Sequence, residues 1–298
     1  MTGKGGVGKS TVSAAIALAF ARSGRDTIAA ELSGQARIPG LLGSSASSPP
    51  GGETEVAPGT WVTTIDPEGA LVEWAGQIVR PRALLEVAVR SRAFSGFVAA
   101  APGASELISI TKACELSSPE RWVPGAARHD LAVLDAPASG HGLGLLASPA
   151  TYAEIARVGP IATQAREVVE LLGDPERCLV VTVAIPEETP VNESLELAAR
   201  LEEKLGRGPS LVVMNALVGD GMTDQEARSA RESIAGSPVL VAADRRRALA
   251  RRQALQLARL EELSEAPVLE LPDLGAAGAT ADGVEALSAL LAPALGLD

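Results

Sequence analysis

Four lysines occur in a chain whose other basic side chains are all arginine, and two of the four, Lys4 and Lys9, lie in one short stretch, Gly3-Lys4-Gly5-Gly6-Val7-Gly8-Lys9-Ser10-Thr11. Residues 3–10 satisfy the spacing G-x-x-x-x-G-K-[ST]. Gly3, Gly5, Gly6 and Gly8 let the backbone curl until successive N–H groups face a single anion. The Ala-rich helix expected over Lys9 to Arg22 adds its positive end. The chemistry is a grip on a nucleoside triphosphate, read as ATP. Lys9 reaches the β- and γ-phosphates and the Ser10 hydroxyl ligates Mg²⁺, with Val7 and Thr11 completing the loop. Lys4 places a second ammonium in the same loop. A chance glycine-rich turn and a merely solvated lysine are the competing readings. Gly-Lys-Ser opening an Ala-rich helix disfavours both.

Such a loop joins an apolar strand to a helix, yet only Met1 and Thr2 precede it. The first strand is therefore read as missing or truncated, with the native N-terminus expected upstream. Beyond the loop, apolar runs at 26–32, 61–65, 131–134, 178–185, 210–214 and 268–271 read as strands. Helical periodicity separates them at 68–122, 151–172, 191–205, 224–234 and 244–263. Residues 44–58, rich in Ser, Pro and Gly, read as a flexible loop. Alternation of this kind implies an α/β fold, a doubly wound, mostly parallel sheet covered on both faces. The expected organisation is one P-loop domain over 1–298 with a helical subdomain inserted at about 67–128 and 139–175.

Three further segments carry a resemblance. The second lysine marks the deviant Walker A loop, and Leu134-Asp135-Ala136-Pro137-Ala138-Ser139-Gly140-His141-Gly142-Leu143 resembles the switch II signature of the ArsA type, the arsenical-pump and tail-anchored-protein-targeting ATPases. Ile65-Asp66-Pro67-Glu68-Gly69-Ala70-Leu71 and Ala101-Pro102-Gly103-Ala104-Ser105-Glu106 resemble two more of its motifs. The likeness implies that Asp135 is the Walker B acid holding a magnesium-bound water. It makes Gly140 and His141 the coupling from γ-phosphate to the helical subdomain. Asn215, Pro272 and Asp273 would line the adenine pocket, and Lys4 would cross a dimer interface to phosphate in the opposite subunit. Partners so implied are a second copy or a paralogous ATPase, together with an unidentified protein client.

The resemblance breaks at switch I. Relatives place an Asp there to position the attacking water, and this chain has Ser33. A hydroxyl is a poor base at neutral pH, and Glu31 and Gln35 are the neighbouring candidates. Slow hydrolysis, or dependence on a partner's switch, is the expectation. The alternatives are a hydrolysis-impaired, nucleotide-gated scaffold within a heterodimer and a partitioning-type ATPase. Net charge of −11 and pI near 4.9 speak against nucleic acid as a partner, because phosphate neutralisation supplies much of that affinity. The run Arg245-Arg246-Arg247 with Arg251, Arg252 and Arg259 reads as a solvated helix face. Cys114 and Cys178 are too few for a zinc or cluster motif. They read as buried small hydrophobes in a reducing compartment. With no apolar run of membrane-spanning length, the expectation is a cytoplasmic protein without stable membrane insertion.

Overall fold

The computed structural model describes residues 1–32, 36–46, 49–78, 103–234 and 236–297. Strand β1 (Thr2–Gly3) leads through the glycine loop into α1 (Lys9–Arg22), β2 (Thr27–Leu32) and the single turn α2 (Ile38–Leu41). β3 (Glu53–Ala57), β4 (Thr60–Ile65), α3 (Pro67–Ile78), α4 (Ala104–Leu116) and β5 (Leu131–Asp135) follow. Next come α5 (Ser139–Ile155), α6 (Pro160–Gly173), β6 (Val181–Ala184), α7 (Glu188–Leu205) and β7 (Leu211–Leu217). The chain closes with α8 (Asp224–Ser233), α9 (Pro238–Leu263), β8 (Val268–Pro272) and α10 (Ala281–Ala294).

Four strands run in the order β3-β4-β2-β5 and four in the order β1-β6-β7-β8. All pairings are parallel except β3 with β4. Met1 joins the two halves. Its ammonium donates to the Leu134 carbonyl at 2.7 Å, and its own carbonyl accepts from Ala136 N at 3.0 Å. Strand β1 is two residues long and pairs Thr2 with Thr182 and Gly3 with Val183. Glycine is required at position 3: φ is 143° and a Cβ there would lie 2.4 Å from the Val183 carbonyl oxygen. Behind Met1 lies a cavity of about 910 Å³, lined by Leu131 and Val133 of β5, Val181 of β6, Val180 just before it, and Phe20 and Leu146 from the helices. Burial there pushes the Met1 ammonium below its usual range, against the pull of Asp135.

Strand alternation sends neighbouring residues to opposite faces. Val133, Val181, Val183 and Val213 pack with α1 and α10, against Val12, Ile16, Val284 and Leu291. On the other face, Ala136 and Val180 join Ile110 of α4, Leu145 of α5, Val168 and Leu172 of α6, and Leu201 of α7. Fully covered leucines such as Leu145 and Leu201 each resist truncation by about 2–5 kcal/mol. Helix α1 is buried along nearly its whole length, which explains why its sequence is Ala-rich rather than amphipathic. The doubly wound architecture expected from the sequence is present.

Two expectations are corrected. Within the presumed loop 44–58, Glu53–Ala57 forms an antiparallel strand on β4, turned by Pro58-Gly59 with Gly59 at φ 67°. The periodic stretch 151–172 is interrupted at 156–159, where Gly159 (φ 97°) and Pro160 end one helix and start the next.

The new strand is anchored by buried charge. The Arg121 guanidinium, 4% exposed, pairs with Glu53 of β3 and with Glu115 of α4. His129 Nε2 lies 3.0 Å from Glu53 Oε2. Lys112 bridges Glu115 and Glu73, both at 2.7 Å. Burial alone would raise the Glu53 carboxyl, but hydrogen bonds from His129 and Arg121 hold it at about 2. A depressed carboxyl stabilises the fold above its unfolded value and loses that contribution as pH falls through its folded value. Acid titration is therefore expected to remove about 3 kcal/mol between pH 4.5 and 2. Urea melts of Glu53→Gln should show a much shallower acid limb than wild type. Equal limbs would contradict the assignment.

Candidate functional site

The loop between β1 and α1 places the residues that its motif predicts. Gly6 and Gly8 take left-handed φ of 84° and 90°. Gly8 caps α1, and a Cβ on it would collide with Asn215 Nδ2 at 2.3 Å. Two glycines are thus demanded by backbone conformation and one of them also by close approach. The Lys9 ammonium curls back to donate to the Lys4 carbonyl at 2.8 Å. Burial lowers its proton affinity, Asp135 opposes this, and the Arg37 guanidinium lowers it further.

Asp135, the last residue of β5, meets the first turn of α1. Ser10 Oγ donates to Asp135 Oδ2 at 2.6 Å and Ser13 Oγ to Oδ1 at 3.3 Å. A hydroxyl and a carboxylate oxygen this close are hard-oxygen donors of the kind Mg²⁺ takes when most of its remaining ligands are water and phosphate. Among the described residues no cluster of three His, Cys, Asp or Glu forms a cage for a metal on its own. Oxygen donors opposite an anion nest fit a metal that arrives with its phosphates.

Asn215 sits where β7 bulges. Register shifts between Met214 and Leu217, and Ala216 takes φ 62°, a left-handed conformation costing an L-residue about 1 kcal/mol. The bulge aims Asn215 Nδ2 at the Val7 carbonyl, 3.0 Å away, so Asn215 braces the loop. Pro272 and Asp273 lie one strand further out, exposed. Asp273 N donates to the Leu217 carbonyl at 2.9 Å. Pro272 borders a groove of about 480 Å³ with Leu217, Val218 and Leu271, and Asn215 is not part of its wall. Of the three residues expected in one base pocket, Asn215 thus braces the loop, Pro272 borders the groove, and Asp273 follows β8 outside the groove wall.

His141 and Gly140 open α5 in exposed positions, and His141 N donates to the Ala138 carbonyl. Gly142 is the tighter point, because a Cβ there would meet Thr2 Oγ1 at 2.7 Å and the Pro137 carbonyl at 2.9 Å. Lys4 pairs with Glu193 of α7 at 3.0 Å, both about a third exposed. Ser33 and Gln35 lie outside the described residues, as do Ala101 and Pro102. Glu31 is described and is only 4% exposed. Its two oxygens accept from Arg37 N (2.9 Å) and Ile38 N (3.1 Å), and burial chiefly raises its carboxyl. Both oxygens are committed to backbone, so Glu31 fastens the start of α2 rather than standing ready to position water. Burial likewise raises both thiols, Cys114 to about 12, which keeps them protonated and unreactive.

Sequence reading missed Ser13, Glu193 and the anchoring role of Glu31. Ser13 alone had a local signal, one helical turn beyond Ser10 on the same face.

A doubly wound sheet with a glycine loop opening onto a central helix, and an Asp at the next strand end, defines the P-loop nucleotide-binding class. The chain belongs to the anion-transporting ATPase family, whose model matches residues 1–162. A Halobacterium salinarum protein, named for driving an arsenical pump, is 28% identical over 235 residues, covering 75% of this chain and 36% of that protein. The Mycobacterium tuberculosis protein named ATPase BagA is 28% identical over 250 residues, covering 78% of this chain and 68% of its own length. The chain thus spans about a third of the archaeal relative and two thirds of the mycobacterial one.

Proposed function

We propose that the chain binds Mg·ATP in the 3–11 loop, hydrolyses it slowly, and uses the cycle to close a dimer. The carrying observation is the convergence of the Lys9 ammonium, the Ser10 hydroxyl and the Asp135 carboxylate beside a left-handed glycine loop. Lys9 holds the β- and γ-phosphates, and Ser10 and Asp135 receive the metal, Asp135 through water. Magnesium supplies charge neutralisation on the leaving phosphate oxygens. The reading of Lys4 as a residue acting in trans is supported by its cheap restraint. An ion pair as exposed as Lys4–Glu193 contributes at most about 1 kcal/mol, and a phosphate exceeds it. Helices of the segments 67–128 and 139–175 form the client-binding subdomain, and Gly140 and His141 transmit the state of the γ-phosphate to it.

Slow turnover is supported at switch I, where Ser33 stands for an acid and the nearby Glu31 carboxylate is occupied by Arg37 N and Ile38 N. Light scattering of the purified chain (30.4 kDa), alone and mixed with a paralogous ATPase, tests the dimer. With ADP and aluminium fluoride, wild type is expected at twice the monomer mass, homotypic or mixed, and Lys4→Ala at the monomer mass. Monomers under all conditions would overturn the dimer, and turnover above a few per second would overturn slow hydrolysis.

A further inference from the structure

Helix α9 carries an unusual outer face. Its buried side is formed by Leu240, Arg247, Gln253 and Leu260. Directly opposite, at 100° per residue, Val241, Arg245, Leu249, Arg252, Leu255, Arg259 and Leu263 fall within an arc of about 120°. The solvent side of a helix packed on a globular domain is ordinarily polar. Here Val241 is 47%, Leu249 37%, Leu255 69% and Leu263 55% exposed. The neighbouring arginines of the same helix are engaged: Arg246 on the Gly219 carbonyl, Arg247 on Asp220 and Asp224, and Arg251 on Asp224. Arg245, Arg252 and Arg259 have no ion pair or hydrogen bond among the described residues. They recur every seven residues, one heptad apart, with an aliphatic side chain in each interval.

We propose that this stripe docks an acidic amphipathic helix from a partner protein, carboxylates at heptad spacing meeting the three arginines and apolar side chains covering the Leu249–Leu263 seam. Charge complementarity selects this occupant. A second copy of the stripe would set arginine against arginine, with Glu262 and Asp244 at its edge to compensate, the latter already paired with Arg231. Duplex DNA or an anionic bilayer would also answer the arginines, but neither sets discrete charges at the seven-residue spacing of a helix with apolar side chains between them. A phosphate backbone would also leave Leu255 and Leu263 in water. The stripe shares no residue with the glycine loop or with Asp135 and Asn215, so its substitutions test docking separately from nucleotide binding.

Fluorescence anisotropy of the full chain with a labelled four-heptad peptide, Glu and Leu at seam positions, tests the proposal. A Lys-for-Glu peptide serves as control. The acidic peptide is expected to bind and the control not to. Arg245→Glu/Arg252→Glu/Arg259→Glu should weaken binding by about 100-fold, consistent with the loss of three ion pairs at an interface. Leu255→Ser/Leu263→Ser should weaken it by about 10-fold through lost apolar burial. Because these side chains are exposed, unchanged thermal melts should accompany both variants. The proposal is overturned if the acidic peptide does not bind, or if the charge-reversed variant binds it as well as wild type does. Tighter binding of duplex DNA or phosphatidylserine vesicles, insensitive to the leucine substitutions, also overturns it.

Discussion

Lys9→Ala is expected to weaken ATP binding by about 100- to 1,000-fold, the loss of a desolvated ammonium that makes charge-assisted contacts to two phosphates. The ammonium is already half-withdrawn from water, and burial lowers its proton affinity even with Asp135 nearby. A cation held at that cost stabilises an anion more than a solvated one does, because the local dielectric is lower. The fold should tolerate the change. Lys9 Nζ makes a single hydrogen bond, to the Lys4 carbonyl, worth about 1 kcal/mol, and the methylene stem is partly exposed. Titration with a fluorescent ATP analogue, beside a thermal melt, separates the two effects. Affinity within threefold of wild type would remove the loop from the proposed site.

The second large effect is expected at Asp135→Asn, which should lower Mg²⁺-dependent hydrolysis by about 100-fold or more while retaining much of the nucleotide affinity. Asparagine keeps the shape and one acceptor for Ser10 or Ser13 but not the negative charge that holds a magnesium-bound water. The charge also matters locally, since Asp135 is the first group opposing desolvation at both Lys9 and the Met1 ammonium. Single-turnover rates measured against magnesium concentration would show a raised magnesium requirement. A profile that superimposes on wild type would assign the metal elsewhere.

Legibility followed the range of the interactions. The loop could be read because its demands are local: left-handed φ at Gly6 and Gly8, and a lysine and serine that follow at fixed spacing. Strands β2, β5, β7 and β8 could be read because a sheet covered on both faces needs continuous apolar runs. Strand β3 could not, since Glu53-Thr54-Glu55 looks like solvent-facing loop until Arg121 and His129 neutralise Glu53. The same holds for Lys4, whose partner Glu193 lies on a distant helix. Glu31 resembled a candidate for water positioning, because nothing in its neighbours reveals that Arg37 N and Ile38 N turn back to claim it. The start of α9 carries a readable signal in Ser237 capping and Pro238 at the first position, whereas periodicity alone places it too late. The position expected to replace the switch I acid, Ser33, falls outside the described residues.

Strand β1 sits between the two halves of the sheet. Among the described residues, Met1 pairs with β5 while Thr2 and Gly3 pair with β6, and Val133 of one half shares an apolar cluster with Val181, Val183 and Val213 of the other. The glycine loop is fastened to both: Ser10 and Ser13 reach Asp135 on one side, and Val7 accepts from Asn215 on the other. An anion bound in that loop therefore acts as a rivet. Its binding free energy adds to the stability of the whole molecule only while both halves stay folded, so occupancy couples the opening of one half to that of the other.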